Sequence, residues 1–258
     1  DNLCLKAEIP ESLLPDLVAS DESRGVVQSS LQKKFGFAGD VAVAGGAGDN
    51  AAAATGIGAL RDGQGLVSLG TSGVLLTANE AWTPSAETAV HSFCHAAKDT
   101  FIQMGVTLTA TDSLSWLSEI LGQSPAELSK ALPDRPDGPG GVLYLPYLAG
   151  ERTPHNFEQA MGSFFGLSRK HQQLDLTRAV FEGVAYSIAD CALALQQAGA
   201  QVETLTAVGG GARSDFWLQT IANVLNKPLS LTDRAEHAAA LGAARLGMAA
   251  AMNADVRD

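Results

Sequence analysis

Apolar residues in this chain fall in short runs closed by glycine, and these runs alternate with stretches of helical spacing. Val41-Ala42-Val43-Ala44 is followed by Gly45-Gly46-Ala47-Gly48, then Asp49-Asn50 and the alanine-rich Ala51-Ala52-Ala53-Ala54-Thr55-Gly56. Four small apolar residues bounded by turn residues predict a short strand covered on both faces. The glycines allow a sharp bend and a close approach of the backbone to whatever lies above it. The alanines predict a helix that begins at or near Asp49, where the helix dipole and free N–H groups favour a negative charge.

The same alternation continues downstream. Leu66-Val67-Ser68-Leu69 and Val74-Leu75-Leu76-Thr77 flank Gly70-Thr71-Ser72-Gly73 and predict a hairpin. Ser92-Phe93-Cys94-His95 and Thr100-Phe101-Ile102-Gln103 read as further short strands. The spacing of Val106, Leu108, Leu114, Trp116, Leu117, Ile120 and Leu121 predicts a helix over 106–121, stopped by Gly122. Ser124-Pro125-Ala126-Glu127 is a capping box with proline in the first helical position. Residues 133–141 are a proline- and glycine-rich linker, and Val142-Leu143-Tyr144-Leu145 follows as a strand. The longest helix is expected after Asp175, with Leu176, Val180, Phe181, Val184, Ile188, Cys191 and Leu195 on one broad face. Thr204-Leu205-Thr206-Ala207-Val208 then runs into Gly209-Gly210-Gly211, a helix through about Leu225 and a last alanine-rich helix over 238–251. Before the first glycine turn, 1–34 is polar and mixed, with Asp21-Glu22-Ser23 expected to cap a helix through about Phe35. Strands alternating with helices and glycine turns indicate a layered α/β fold.

Composition narrows the class. The chain of 258 residues can bury a large core, and a 46% hydrophobic share is that of a globular protein. Acidic residues outnumber basic ones, 28 to 17, for a net charge of −11. This argues against a general nucleic-acid or anionic-membrane binder, though not against a small anionic ligand held by local dipoles. Cys4, Cys94 and Cys191 are far apart with no CxxC pair, which suits reduced thiols, and a cytoplasmic location is expected. No run approaches 18 apolar residues, so no membrane-spanning helix is expected. The chain begins without methionine, in polar irregular sequence, and reads as a piece of something longer.

Glycine turns follow apolar strands at 45–48, 70–73 and 209–211. Any one of them alone suits an ordinary tight turn. Gly70-Thr71-Ser72-Gly73 offers N–H groups and two hydroxyls, a plausible phosphate cradle. Gly209-Gly210-Gly211 before a helix lets a flat ligand lie against the main chain. The Walker A pattern is absent. Gly46-Ala47-Gly48-Asp49-Asn50-Ala51 fits a loose dinucleotide fingerprint, but a carboxylate inside that turn would repel a pyrophosphate at short range. From the residues alone, Asp49 is open to three readings: a general base, a helix cap or part of a dinucleotide turn.

Several stretches, taken together, carry a resemblance. They are GGAGDN at 45–50, SLGTSG at 68–73, VHSFCH at 90–95, LPYLAGERTPHN at 145–156, FFGL at 164–167, RAVFEGVAY at 178–186 and GGGARSDFW at 209–217. Their order and spacing resemble the C-terminal half of bacterial xylulokinases, in the FGGY carbohydrate kinase family, over about 35–250. The resemblance implies an actin-like, ribonuclease-H-like ATPase lobe with a mixed sheet flanked by helices, covering 35–258, and a remnant of a preceding lobe or linker at 1–34. It implies ATP and Mg2+ as cofactors and ATP-dependent phosphorylation of D-xylulose. Asp49 matches the family's catalytic base, Gly70, Thr71 and Ser72 its phosphate turn, and Gly210, Gly211 and Ala212 its adenosine motif. The magnesium ion would sit mainly on the ATP phosphates and water, so no protein metal ligand is assigned. Expected partners are a sugar and ATP, with a homodimer possible and no nucleic acid or membrane.

Other residues receive lesser roles. Arg152 suits a cleft-closing or a solvated loop residue, and Glu182 a structural salt bridge with Arg178. His91, His95 and His155 are too scattered for a metal site. Phe216 and Trp217 suit packing, and Asn223 stands where the family would carry an aspartate. The family's first-lobe phosphate motif, a glycine-flanked aspartate in an opening strand, does not occur in the chain. The chain alone is therefore expected to be inactive. The alternatives are a kinase for a related sugar or polyol, and a nucleotide-binding lobe without catalysis of its own.

Overall fold

A computed structural model describes residues 2–233 and 235–258; Asp1, in the expected remnant, and Arg234 lie outside the described residues. The elements in chain order begin with α1 (Asn2–Lys6), β1 (Ser23–Val26), α2 (Ser29–Phe35), β2 (Ala42–Ala44) and α3 (Asp49–Ile57). Next come β3 (Gln64–Leu69), β4 (Gly73–Asn79), β5 (His91–Cys94), β6 (Phe101–Thr107), α4 (Thr111–Leu121) and α5 (Pro125–Lys130). The chain closes with β7 (Leu143–Leu145), β8 (Ser163–Phe165), α6 (Gln173–Gln197), β9 (Thr204–Val208), α7 (Asp215–Leu225), β10 (Leu229–Leu231) and α8 (Ala238–Met252).

Six strands form the central sheet in the order β10-β9-β3-β4-β6-β5. The hairpins β3/β4 and β5/β6 and the pair β4/β6 are antiparallel, while β9 runs parallel to β3 and β10 parallel to β9. Four antiparallel strands, with β5 outside β6, extended by the parallel strands β9 and β10 make the mixed sheet expected of an actin-like lobe. Alternation along the strands sends neighbours to opposite faces. Val67, Leu69 and Leu75 pack against α4, α6 and α7 through Leu117, Phe181, Ile188 and Trp217. Leu66 and Leu76 pack with Ile102, Met104 and Ala54 of α3 on the other face.

Local signals were good guides where they acted locally. At the start of α5, Ser124 Oγ accepts from Glu127 N at 3.3 Å, and a Glu127 carboxylate oxygen accepts from Ser124 N at 2.8 Å. The helix α6 has 25 residues and could span a membrane by length and composition alone, but most of it is buried as the core helix of this fold.

Three expectations need correction. The helix placed at 106–121 starts only at Thr111, because Val106 and Thr107 pair with Val74 and Gly73 as the end of β6. The helix through Phe35 starts only at Ser29, because Ser23–Val26 is a strand paired with Ala42–Ala44. The strand around Val41–Ala44 is not covered on both faces: Val43 is 44% exposed, and β1/β2 is a two-stranded ribbon outside the main sheet. The short strands β1, β8 and β10 were not anticipated.

Candidate active site

Strands β3 and β9 are adjacent and parallel, so the turns that follow them open at the same end of the sheet. Open α/β sheets hold ligands at this end. After β3 the carbonyl of Gly70 accepts from Thr111 N at 2.9 Å and from the Thr111 hydroxyl at 2.8 Å. The carbonyl of Thr71 accepts from Ala110 N at 2.8 Å. The turn is thus anchored through its carbonyls to the start of α4. Gly70 and Ser72 are half-buried and Thr71 is exposed.

After β9 the glycines are required by contact. Gly209 has φ +89°, and a Cβ on it would sit 2.8 Å from Leu69 O. A Cβ on Gly211 would lie 2.7 Å from Leu69 Cβ. Any side chain there would push the two turns apart. Gly210 differs: an added Cβ meets nothing within 4 Å. It borders a cavity of about 670 Å³ whose lining includes Thr111, Ser129, Asp134, Phe181, Gly211 and Ser214. The opening above Gly210 fits a flat base laid on bare main chain. Ala212 is outside this lining and packs half-buried against the core. Phe216 and Trp217 do pack, being 2% and 1% exposed, but they also form part of the cavity wall.

Asp49 is the first residue of α3, with Gly48 as N-cap, and its side chain is exposed. One carboxylate oxygen accepts from Asn50 N at 2.7 Å and from Asn50 Nδ2 at 3.2 Å. Ala51, Ala53, Ala54 and Ile57 of α3 pack with Leu66, Leu76 and Val208 on one face of the sheet. The helix is held there by close contact with α8: a Cβ on Gly56 would be 1.8 Å from Ala238 O, and one on Gly242 1.8 Å from Ala52 O. The two turns thus come together at one sheet end, and α3, whose first residue is Asp49, packs on the face opposite the cavity.

One group that was given no role on sequence grounds stands out. Glu151 is 2% exposed and fills the edge of β6 beyond the point where β5 stops. Its carboxylate accepts from the Thr107 hydroxyl at 2.6 Å, Leu108 N at 3.1 Å and Arg152 N at 2.7 Å. Burial pushes its carboxyl above the ordinary range, with the three donors pulling the other way. The sequence signal was a charged pair inside a polar run just after a strand, which does not distinguish a buried carboxylate from a solvated one.

The model of the C-terminal domain of the FGGY family of carbohydrate kinases matches residues 65–251. The chain belongs to that family. The FGGY chain is 43% identical over 216 residues to the xylulose kinase of Staphylococcus epidermidis, covering 83% of this chain and 44% of that one. It is 40% identical over 253 residues to the xylulose kinase of Escherichia coli, covering 97% and 52%. Among solved structures, a xyloylose kinase from Brucella ovis superposes with a TM-score of 0.96 at 48% identity, covering 99% of this chain and 53% of that one. The chain thus spans about half the length of the relatives it matches, and it has the actin-like lobe seen in them.

The histidines of this FGGY lobe have different partners. His95 is a core residue: its Nε2 lies 2.9 Å from Ala59 O, its Nδ1 accepts from Ala97 N, and burial lowers its pKa. His91 is lowered by burial and then by the charge of Arg152, whereas His155 meets the Tyr147 hydroxyl at 3.1 Å. Among the described residues no group of three or more His, Cys, Asp or Glu could hold a metal ion. Glu182 and Arg178 form the expected pair, Nε to Oε1 at 2.8 Å.

Proposed function

We propose that this chain is the nucleotide-binding C-terminal lobe, residues 35–258, of an ATP-dependent xylulokinase, with 1–34 the last part of the lobe before it. The observation that carries the reading is the convergence of both glycine turns at one end of the sheet beside an open cavity, in a member of a carbohydrate kinase family. The xylulose kinases among its relatives support the choice of sugar. Exposed apolar side chains on the first stretch, Leu5 at 78%, Leu13 at 73% and Leu17 at 97%, suit a surface that a further lobe covers.

In this reading the base of ATP lies over Gly210 and Gly211, with Ala212 backing the turn, and Gly70, Thr71 and Ser72 receive the phosphates. Asp49, exposed at the helix start, accepts the proton of the sugar hydroxyl as it attacks. Phosphoryl transfer depends chiefly on positioning and charge stabilisation, so a base that takes its proton late is sufficient. Mg2+, carried on the ATP phosphates and water, would neutralise charge on the transferring group.

Asp49→Ala in the full-length polypeptide is expected to lower kcat by about 10³-fold, as loss of a general base does, with ADP affinity unchanged. Wild-type turnover by that variant would sink the assignment. The chain assayed alone is expected to bind ADP without releasing it from ATP in a sugar-dependent way, and sugar-dependent turnover by it would contradict the lobe reading.

A further inference from the structure

The segment joining α5 to β7 has no helix or strand of its own, yet Leu132, Pro133 and Asp134 make it one wall of the cavity. It continues through Pro136, Gly138, Pro139, Gly140 and Gly141. Prolines remove N–H donors and glycines add chain entropy, so this composition does not by itself hold a wall in place.

One turn of α6 supplies what the segment lacks. Arg178 Nε donates to Glu182 Oε1 at 2.8 Å, Arg178 Nη1 donates to Asp137 Oδ1 at 2.9 Å, and Arg178 Nη2 donates to Gly138 O. Gly140 N donates to both Glu182 carboxylate oxygens, at 3.0 and 2.9 Å. A Cβ on Gly140 would stand 3.1 Å from Glu182 Oε2 and 3.4 Å from Arg178 Nε, so the segment lies in close contact with this pair. The Glu182 side chain is 4% exposed, and a carboxylate so buried requires its donors. An ordinary pair four residues apart on a helix would need no contact with a linker. Here most of the bonds go to the linker. The same turn carries the buried Phe181 into the cavity lining.

We propose that Arg178 and Glu182 are positioning residues for nucleotide binding. Through Asp137, Gly138 and Gly140 they hold 133–141 as a fixed strap against the cavity that Phe181 floors. This inference rests on the nucleotide reading of that cavity. A preformed wall avoids the entropy of ordering the strap when the ligand enters, so the pair acts on affinity and leaves the transfer step alone.

Arg178→Lys keeps the charge beside Glu182 and removes the fork to Asp137 and Gly138. It is expected to weaken ADP binding, measured by calorimetry on the chain, by about tenfold with the thermal midpoint within about 3 °C of wild type. Amide exchange should quicken in 134–141 and nowhere else. In the full-length polypeptide KM for ATP should rise with kcat unchanged, a split that a merely structural role would not produce. Wild-type ADP affinity in Arg178→Lys overturns the proposal, whatever the exchange shows. If that variant fails to fold, Asp137→Ala, which alters an exposed side chain, carries the same test with the same overturning result. Absence of ADP binding by the wild-type chain overturns the nucleotide reading itself, and this proposal with it.

Discussion

Two stretches of this chain are written alike. Val41–Ala44 with its glycines and Thr204–Val208 with its glycines are both short apolar runs, a glycine turn and a helix. The first becomes β2, paired with β1 alone among the described residues, and Val43 stays 44% exposed. The second becomes β9, set between β10 and β3, with Leu205 at 1% and Ala207 at 0% exposure. The pattern specifies backbone conformation in both. What differs is the number of neighbours, and neighbours are decided by segments far away in sequence.

Charge insertion separates the two most sharply. Ala207→Asp places a carboxylate with no partner in the apolar core on one face of the sheet and is expected to cost about 4 kcal/mol or more, enough to prevent folding. Val43→Asp, on the ribbon, should stay within about 1 kcal/mol. Equal losses in urea denaturation would break the comparison. Next in size is the junction that ties the ribbon side to the sheet. Gly242→Ala would gain helix propensity in α8 but drive a Cβ into Ala52 O, and the net loss is expected to be about 2–3 kcal/mol. Because α3 carries Asp49, the same variant in the full-length polypeptide should lower turnover more than nucleotide affinity. A more stable Gly242→Ala would show that the two helices can part freely.

The smallest effect concerns Glu151. Its carboxyl is raised by burial, so the folded state holds that proton more tightly than the unfolded chain does. The contribution is fully present below the ordinary carboxylate value and is lost as pH rises through the raised one. Relative to Glu151→Gln, wild type should therefore gain stability as pH falls from neutral toward the ordinary carboxylate value. A difference in thermal midpoint that does not change with pH would count against a buried carboxylate at the β6 edge.

Much of the site was legible as local sequence. Asp49 at a helix start, the hairpin around Gly70-Thr71-Ser72 and the turn Gly209–Gly211 all fell where their residues put them, because glycine, helix N-termini and short apolar runs act over a few residues. The spacing of Val106 with Leu108 and Leu114 fits a helix, yet Val106 pairs with Val74 of β4. The ladder outweighed the periodicity. Glu151 and the strap at 133–141 were opaque for a related reason. A carboxylate and a proline-glycine run look solvated until Thr107, Arg178 and Glu182 arrive from elsewhere in the chain.

The sequence by itself determined most of the longer elements, the glycines where backbone must approach backbone, and the family to which the set of motifs belongs. Only the tertiary structure decided that β3 and β9 lie side by side, that α3 packs on the face opposite the cavity, and that one turn of α6 bonds to Asp137, Gly138 and Gly140. Dihedral preference and capping are written within a few residues. Adjacency, burial and the partners of a buried charge depend on which distant segments exclude water together.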